Sequence, residues 1–484
     1  MSETESHPLK HWLDKIAAAQ PESPAIYIED EEISYLILKD QVEALVTTLT
    51  QAGIKMGSHL ALVTRSARIV ALVAYAAPHM GITFLPLDPN LPEKWQASLL
   101  QQAGIEYVLC DNEISEDWSP DVNVITIGQL LLQQFTLGGI SVEPRTSIYT
   151  PLMLATSGST DVPKVVLLSP ENITTSVQSA NHYLQLQQND LWLNCMPLFH
   201  IAGLMILYRS IACGAAVILH DKFNAKKVWH DLQKYPVSHI SLVPTMLQRL
   251  LDVAGERSPP ASLRLVIIGG ATLEPALAQR ALKAGWPLYM SYGMTETSSQ
   301  IAGCRLNAET WNEPFVLEVY AGIETQIRGI EESTDGSGQL ALRGAAIMSG
   351  YADSQNLSTQ ALDADGWLLT RDIAKLNDAG HIIILGRADD VIISGGENIH
   401  PAQVEAIMRD CPGIDEIAIT SNDNPEWGQS LVAIYRGTGS KEKIEQWSRD
   451  KLKGSWRPRQ FIKIDALPRL PNGKLDRQSL SSSI

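Results

Sequence analysis

Between residues 156 and 164 the chain reads Thr-Ser-Gly-Ser-Thr-Asp-Val-Pro-Lys, a succession of hydroxyl and glycine residues that ends in one ammonium. Backbone amides unobstructed by bulky side chains, flanked by hydroxyl donors and a lysine, are the groups that wrap a polyphosphate. A nucleotide is therefore expected at Thr156, Ser157, Gly158, Ser159, Thr160 and Lys164. The spacing is not that of a Walker loop, because Pro163 precedes Lys164 and Val165, not a hydroxyl residue, follows it. The same composition also suits a plain surface turn, so other segments must decide between the two.

Three such segments follow. In Ser291-Tyr292-Gly293-Met294-Thr295-Glu296, a glycine turn after the apolar Pro287-Leu288-Tyr289-Met290 admits a purine plane beside Tyr292. Thr295 and Glu296 offer oxygen ligands for a magnesium ion that holds phosphates. In Thr370-Arg371-Asp372, after the turn Asp365-Gly366-Trp367, the carboxylate can accept hydrogen bonds from both hydroxyls of a ribose; the alternative is a helix cap or a surface aspartate. Near the carboxyl end, Pro471-Asn472-Gly473 forms a turn that presents Lys474 on an exposed tip.

In this order the four segments resemble the adenylate-forming superfamily of acyl- and aryl-CoA ligases, firefly luciferase and nonribosomal peptide adenylation domains, over nearly the whole chain. The resemblance implies an AMP-forming acid-thiol ligase: a carboxylate attacks the α-phosphorus of ATP, pyrophosphate leaves, and a thiol attacks the acyl adenylate. It places the β- and γ-phosphates in the Thr156 to Lys164 loop. The rest of the nucleotide falls to Gly269-Gly270-Ala271 and Tyr292-Gly293-Met294-Thr295, magnesium to Glu296, and the ribose to Asp372 with Arg387. Lys474 becomes the catalytic residue that bridges the attacking carboxylate and the α-phosphate, offsetting charge built up in the transition state. Asp389 takes the hinge position, and rotation there brings Ser394-Gly395-Gly396-Glu397 toward the site for thioester formation with coenzyme A. Asp161 departs from the pattern, standing where glycine is usual; its side chain either points outward or repels the triphosphate.

Amino-acid-activating members place an aspartate near the start of the segment that reads here Met196-Pro197-Leu198-Phe199-His200-Ile201-Ala202-Gly203, which has no carboxylate. An amino-acid substrate is thus disfavoured, and the resemblance puts His200 in the carboxylate channel. Arg209 interrupts an otherwise apolar helix on the side of Met205 and Ala202. A buried guanidinium needs an anion, and three outcomes are open: a salt bridge, snorkelling to water, or a second carboxylate on the substrate. This wording, with that of residues 241–251 and Ile393-Ser394-Gly395-Gly396, looks most like the members that act on o-succinylbenzoate in menaquinone biosynthesis. There a basic residue pairs with the aromatic carboxylate while the succinyl carboxylate is activated. Lys451, Lys453, Arg457 and Arg459 either meet the phosphates of coenzyme A or form a solvated face. Another aryl- or acyl-CoA ligase, an enzyme loading a carrier protein, and a nucleotide-binding regulator without catalysis are the rival readings.

These groups need a scaffold. Up to about residue 290, apolar runs such as His59-Leu60-Ala61-Leu62-Val63, residues 215–221, 239–245 and 264–270 alternate with amphipathic stretches, the pattern of parallel strands covered by helices on both faces. Beyond the turn Asn377-Asp378-Ala379-Gly380 the texture becomes a small α+β pattern with a helix beginning near Pro401. The expected fold is α/β, with a large N-terminal ATP- and acid-binding domain of sheets packed with helices over 1–386. A small mobile α+β C-terminal domain over 387–484 would carry the catalytic lysine, with the hinge near 389.

Composition narrows the setting. With 484 residues and 45% apolar content, the chain can bury several cores. Its 38 basic residues against 54 acidic ones give a net charge of -16, and no basic cluster is dense enough for a nucleic-acid partner. The five cysteines show no paired or metal-ligand spacing, which fits a reducing compartment. The amino terminus is acidic where a signal peptide is basic, and the longest apolar run, Ile69 to Ala77, falls short of a membrane span. A cytoplasmic protein without membrane insertion is expected, with self-association left open.

Overall fold

A computed structural model describes residues 8–111, 122–128, 150–156, 163–271, 273–307, 315–329, 336–353, 356–358, 361–390, 392–394, 397–424, 428–452, 454–469 and 475–481. The chain forms two compact units: Met1–Trp311 with Leu317–Glu324 and Arg343–Leu368, and Asn312–Val316 with Thr325–Leu342 and Leu369–Ile484. The second unit contains all of residues 387–484 together with the shorter pieces that precede them.

In the first unit the described residues build two large sheets. One has nine strands, with Leu191–Asn194, Ala216–Leu219, His239–Leu242, Leu265–Ile268 and Leu288–Met294 parallel at its centre. Every residue of Leu265–Ile268 and of His239–Leu242 is buried, because helices such as Pro244–Ala254 and Pro275–Lys283 cross between the parallel strands. That burial on both faces is why these strands read as unbroken apolar runs instead of alternating ones. Proline opens both helices at the first turn, where its missing N–H costs nothing. Antiparallel strands close the edges, Ser299–Arg305 and Glu318–Val319 on one side and Glu31–Ser34 on the other.

The second sheet has eight strands, in which Val165–Leu168 runs antiparallel to its neighbours Leu152–Ala155 and Gly350–Asp353, beside a parallel group that includes Thr83–Leu87 and His59–Val63. Helix Pro170–Leu184 follows at once, fixed by a reciprocal cap: Asn172 N–H donates to Ser169 Oγ at 3.1 Å, and Ser169 N–H to Asn172 Oδ1 at 2.8 Å.

The second unit holds most of a four-stranded sheet, Glu324–Arg328, Gly338–Arg343, Leu368–Leu376 and Ile382–Arg387, the last two antiparallel, and a five-stranded sheet around Glu416–Asn424 and Gly428–Arg436. Helices Pro401–Arg409 and Lys441–Lys451 cover the latter over a core of Ile399, Val404, Met408, Ile419, Leu431 and Ile444. This is the small α+β pattern read from the sequence. No described helix is long and apolar enough to cross a membrane.

Candidate functional site

The loop that opened the sequence reading sits at the mouth of a hairpin. Thr156 N–H donates to the Lys164 carbonyl at 2.8 Å, and Lys164 N–H donates to Thr156 Oγ1 at 3.1 Å. Ser157, Gly158, Ser159, Thr160 and Asp161 lie outside the described residues. The exposed Lys164 ammonium stands 4.9 Å from the centre of the Tyr351 ring, on the strand paired with Val165–Leu168. Tyr351 in turn donates its hydroxyl proton to Glu296 Oε1 at 2.9 Å. Met348 N–H donates to the Glu296 carbonyl at 2.8 Å, so the glutamate is also held by main chain to the segment leading into this strand. Lys164 and Glu296, far apart in the chain, therefore both contact one tyrosine. A single half-buried carboxylate suits a magnesium ion, which takes one or two protein carboxylates and completes its shell with nucleotide phosphates and water.

Backbone shape explains the glycines of the second segment. Leu265–Ile268 ends at Gly269 and Gly270, at the carboxyl end of the parallel sheet where α/β folds bind ligands. Gly270 has φ +78, and a Cβ on Gly269 would lie 2.8 Å from Ser291 Oγ, so the two strand ends approach as only glycine allows. Half-buried Ala271 follows. The register Ile268 opposite Met290 brings this turn alongside Tyr292. At Gly293 the pairing of Leu288–Met294 with Ser299–Arg305 slips, and a Cβ there would stand 2.0 Å from the Ser299 carbonyl oxygen.

The turn Thr295–Thr297 is strained and over-determined. Ser298 and Ser299 have φ of 52 and 97, unusual for residues with a Cβ. Thr297 Oγ1 accepts from Met294 N–H at 2.9 Å and donates to the Ser299 carbonyl at 2.6 Å; Ser176 Oγ donates to the Ser298 carbonyl at 2.6 Å, and Ser298 Oγ to the Ala346 carbonyl at 2.8 Å. These bonds fix the backbone of the turn that carries Thr295 and Glu296.

The acid-binding candidates lie on the next helix. His200 is the residue before Ile201–Cys213, half-buried and edge-on to Phe199 with ring centres 4.7 Å apart. A Cβ on Gly203 would stand 2.5 Å from the Pro197 carbonyl oxygen, so glycine lets the helix start fold tightly onto Met196-Pro197. Arg209 is 1% exposed, which rules out snorkelling. Its Nη1 donates to Gln300 Oε1 at 2.9 Å, while Nε and Nη2 have no partner. No carboxylate among the described residues pairs with it, so the salt-bridge outcome is also excluded there. Desolvation lowers its pKa to about 10, which leaves it cationic at neutral pH. Gln300 Nε2 is equally unpartnered, and the buried Tyr289 and Tyr320 share a hydrogen bond at 2.9 Å nearby on the same sheet edge. The unpartnered Arg209 Nε and Nη2 and Gln300 Nε2 are all donors, the complement of an anionic acceptor.

Gln300 and Tyr351 were not singled out from the sequence. Neither stands in a spacing that marks chemistry: Gln300 begins an apolar strand and Tyr351 follows a glycine at a strand start. Only their partners reveal them.

In the second unit, Asp372 and Arg387 are register partners on adjacent strands, with Nη1 and Oδ1 3.7 Å apart. Thr370 Oγ1 accepts from Asp372 N–H at 3.1 Å and donates to the Leu340 carbonyl at 2.8 Å, fixing the nearly buried aspartate at its strand position. Ser394 pairs with Glu397 across a turn whose Gly395 and Gly396 lie outside the described residues, as do the side chains of Asp389 and Glu397. Lys474 also lies outside them; Arg469 and Leu475, on either side of it, pair as an antiparallel bridge. Just beyond, Arg477 bonds Asp390 at 3.2 Å and the buried Glu405 at 3.0 Å. Arg457 has its pKa lowered by desolvation and by Arg459 and Arg449, so three guanidiniums share one neighbourhood; Lys453 lies outside the described residues.

Two family models match the chain. The family model for AMP-binding enzyme matches residues 13–352, and that for the AMP-binding enzyme C-terminal domain matches residues 403–474. A 2-succinylbenzoate–CoA ligase of Bacillus mycoides (strain KBAB4) is 30% identical over 484 residues, covering 98% of both chains. The o-succinylbenzoate CoA synthetase of Bacillus subtilis, solved with its acyl-adenylate intermediate, superposes with a TM-score of 0.86 at 28% identity over 97% of both chains. Its complex with ATP and magnesium ion gives a TM-score of 0.86 at 27% identity over 97% of this chain and 99% of that one.

Proposed function

The chain belongs to the AMP-binding enzyme family, and from that premise we propose that it is an ATP-dependent acid:CoA ligase whose acid is o-succinylbenzoate. In the first step an oxygen of the acid's succinyl carboxylate bonds to the α-phosphorus of ATP and the bond to pyrophosphate breaks. In the second the thiol sulfur of coenzyme A bonds to the acyl carbon, AMP leaves with the electron pair, and the thiol proton passes to solvent.

The residues divide this work by chemistry. Thr156, Ser157, Gly158, Ser159, Thr160 and Lys164 hold the β- and γ-phosphates, and Gly269, Gly270, Ala271, Tyr292, Gly293, Met294 and Thr295 frame the rest of the nucleotide. Glu296 would hold the magnesium ion, which when bound supplies charge neutralisation to the departing pyrophosphate. Asp372 accepts both ribose hydroxyls beside Arg387. Lys474 spans the attacking carboxylate and the α-phosphate, where charge grows in the transition state. His200 lines the channel of the reacting carboxylate. Asp389 serves as hinge between the half-reactions, Ser394, Gly395, Gly396 and Glu397 serve the second, and Arg457 and Arg459 meet the phosphates of coenzyme A.

What supports the choice of acid is Arg209: a buried guanidinium whose Nε and Nη2 lack partners is matched by the aromatic carboxylate of a dicarboxylic substrate. Pyrophosphate release tests the reading with ATP, magnesium, coenzyme A and a panel of acids. Release that depends on o-succinylbenzoate and yields its CoA thioester without added protein is expected. Release with no acid would return the chain to a nucleotide-binding regulator, and an absolute need for a carrier protein would change the acceptor.

A further inference from the structure

Lys164 and Glu296 carry opposite charges and flank the same tyrosine, yet no ion pair joins them. A lysine and a glutamate this close to a common neighbour would gain by pairing in the half-buried surroundings of the glutamate. Paired, they would cancel: the ammonium would be lost to the phosphates and the carboxylate to the metal. Tyr351 holds them apart with two different parts of one side chain. The π-face takes the ammonium at 4.9 Å, and the hydroxyl takes Oε1 of the carboxylate at 2.9 Å, leaving Oε2 open. Its own position is set independently, by the pairing of Tyr351 with Val166 and of Gly350 with Leu167.

We propose that Tyr351 is a positioning residue that keeps the phosphate-binding lysine and the metal-binding glutamate apart and aimed, so that both are available when the nucleotide arrives. The inference rests on the nucleotide reading above but adds a residue and a role to it. Bound nucleotide displaces nothing from the tyrosine hydroxyl: it takes the ammonium from the ring face, and the metal takes the free carboxylate oxygen.

The test uses the full-length protein, the β,γ-imido analogue of ATP, and Mn2+ followed by electron paramagnetic resonance. Calorimetry measures nucleotide binding with the metal chelated. Tyr351→Phe keeps the ring and removes the hydroxyl. It should weaken Mn2+ binding to the protein–nucleotide complex by roughly tenfold, the loss of one hydrogen bond to a charged group, and leave metal-free nucleotide affinity unchanged. Tyr351→Leu removes both contacts and should also weaken metal-free nucleotide binding, because Glu296 captures Lys164. Adding Glu296→Gln to Tyr351→Leu should restore the metal-free affinity, since no carboxylate remains to capture the ammonium. A role in packing alone would give no such restoration. Unchanged Mn2+ affinity in Tyr351→Phe, or failure of Glu296→Gln to restore metal-free binding, overturns the inference. A wild-type protein that binds no nucleotide overturns the reading of the site itself, and this inference with it.

Discussion

Arg209 concentrates the question of substrate in one side chain. Burying a guanidinium costs several kcal/mol unless anions and acceptors meet it, and here one amide oxygen meets one of its three nitrogens. A substrate carboxylate would relieve that cost on binding, and on the proposed reading the residue would select among acids. Arg209→Ala should therefore lower kcat/KM for o-succinylbenzoate by about 10²–10³-fold, the range for breaking a buried charge pair, and spare benzoate-like monoacids. Steady-state kinetics on both acids checks this, and an equal loss for both would remove Arg209 from the pocket. From the sequence, Arg209 was visible as a charge in an apolar helix, but its lack of a partner was not. Asp161 stays where the sequence left it. Asp161→Gly should leave ATP affinity unchanged if the aspartate points outward, and tighter binding by calorimetry would show that it faces the triphosphate.

The strand pair Leu288–Met294 and Ser299–Arg305, with its turn, decides whether Glu296 points anywhere useful. Its backbone holds two serines at positive φ and a slip in register at Gly293, strain that persists because buried hydroxyls bond the turn on every side. A methyl at Gly293 would collide with main chain, Ser299 O at 2.0 Å and Gln300 Cα at 2.6 Å, which cannot swing aside as a side chain does. Gly293→Ala should cost about 1–3 kcal/mol of stability by chemical denaturation and weaken nucleotide binding by more than its effect on folding explains. Nucleotide affinity equal to wild type would show that the slip is not part of the site. Strands and helices at this level were legible, since burial on both faces leaves an apolar run and proline and serine mark helix starts. The antiparallel closures were less so: Gly350–Asp353 is four residues long, too short to announce a period.

At the scale of the whole molecule, the residues proposed for the reaction are divided between the two units. Residues assigned to the phosphates, metal and acid lie in the first unit, whereas Asp372, Arg387 and Lys474 belong to the second. Lys474→Ala should slow acid-dependent pyrophosphate exchange by at least about 10²-fold, as for removal of a transition-state donor, while conversion of supplied acyl adenylate to thioester by coenzyme A continues. Undiminished exchange would remove the amine from the mechanism. Arg477, bonded to Asp390 and to the buried Glu405, ties the segment after Lys474 into that unit's own framework.

What the amino-acid order determined alone was local: which segments are proposed for phosphate, metal and ribose, and which runs become strands, because both depend on residue type within a few positions. What waited for the tertiary structure was pairing across the chain. Tyr351 stands between Lys164 and Glu296 because separate strands and a turn converge there, and Arg209 lacks an anion because the helices and sheet edge around it bury it beside an amide and no carboxylate. Charge in a sequence states what a group is; only packing states what it meets, and the energy of a buried charge lies in that meeting.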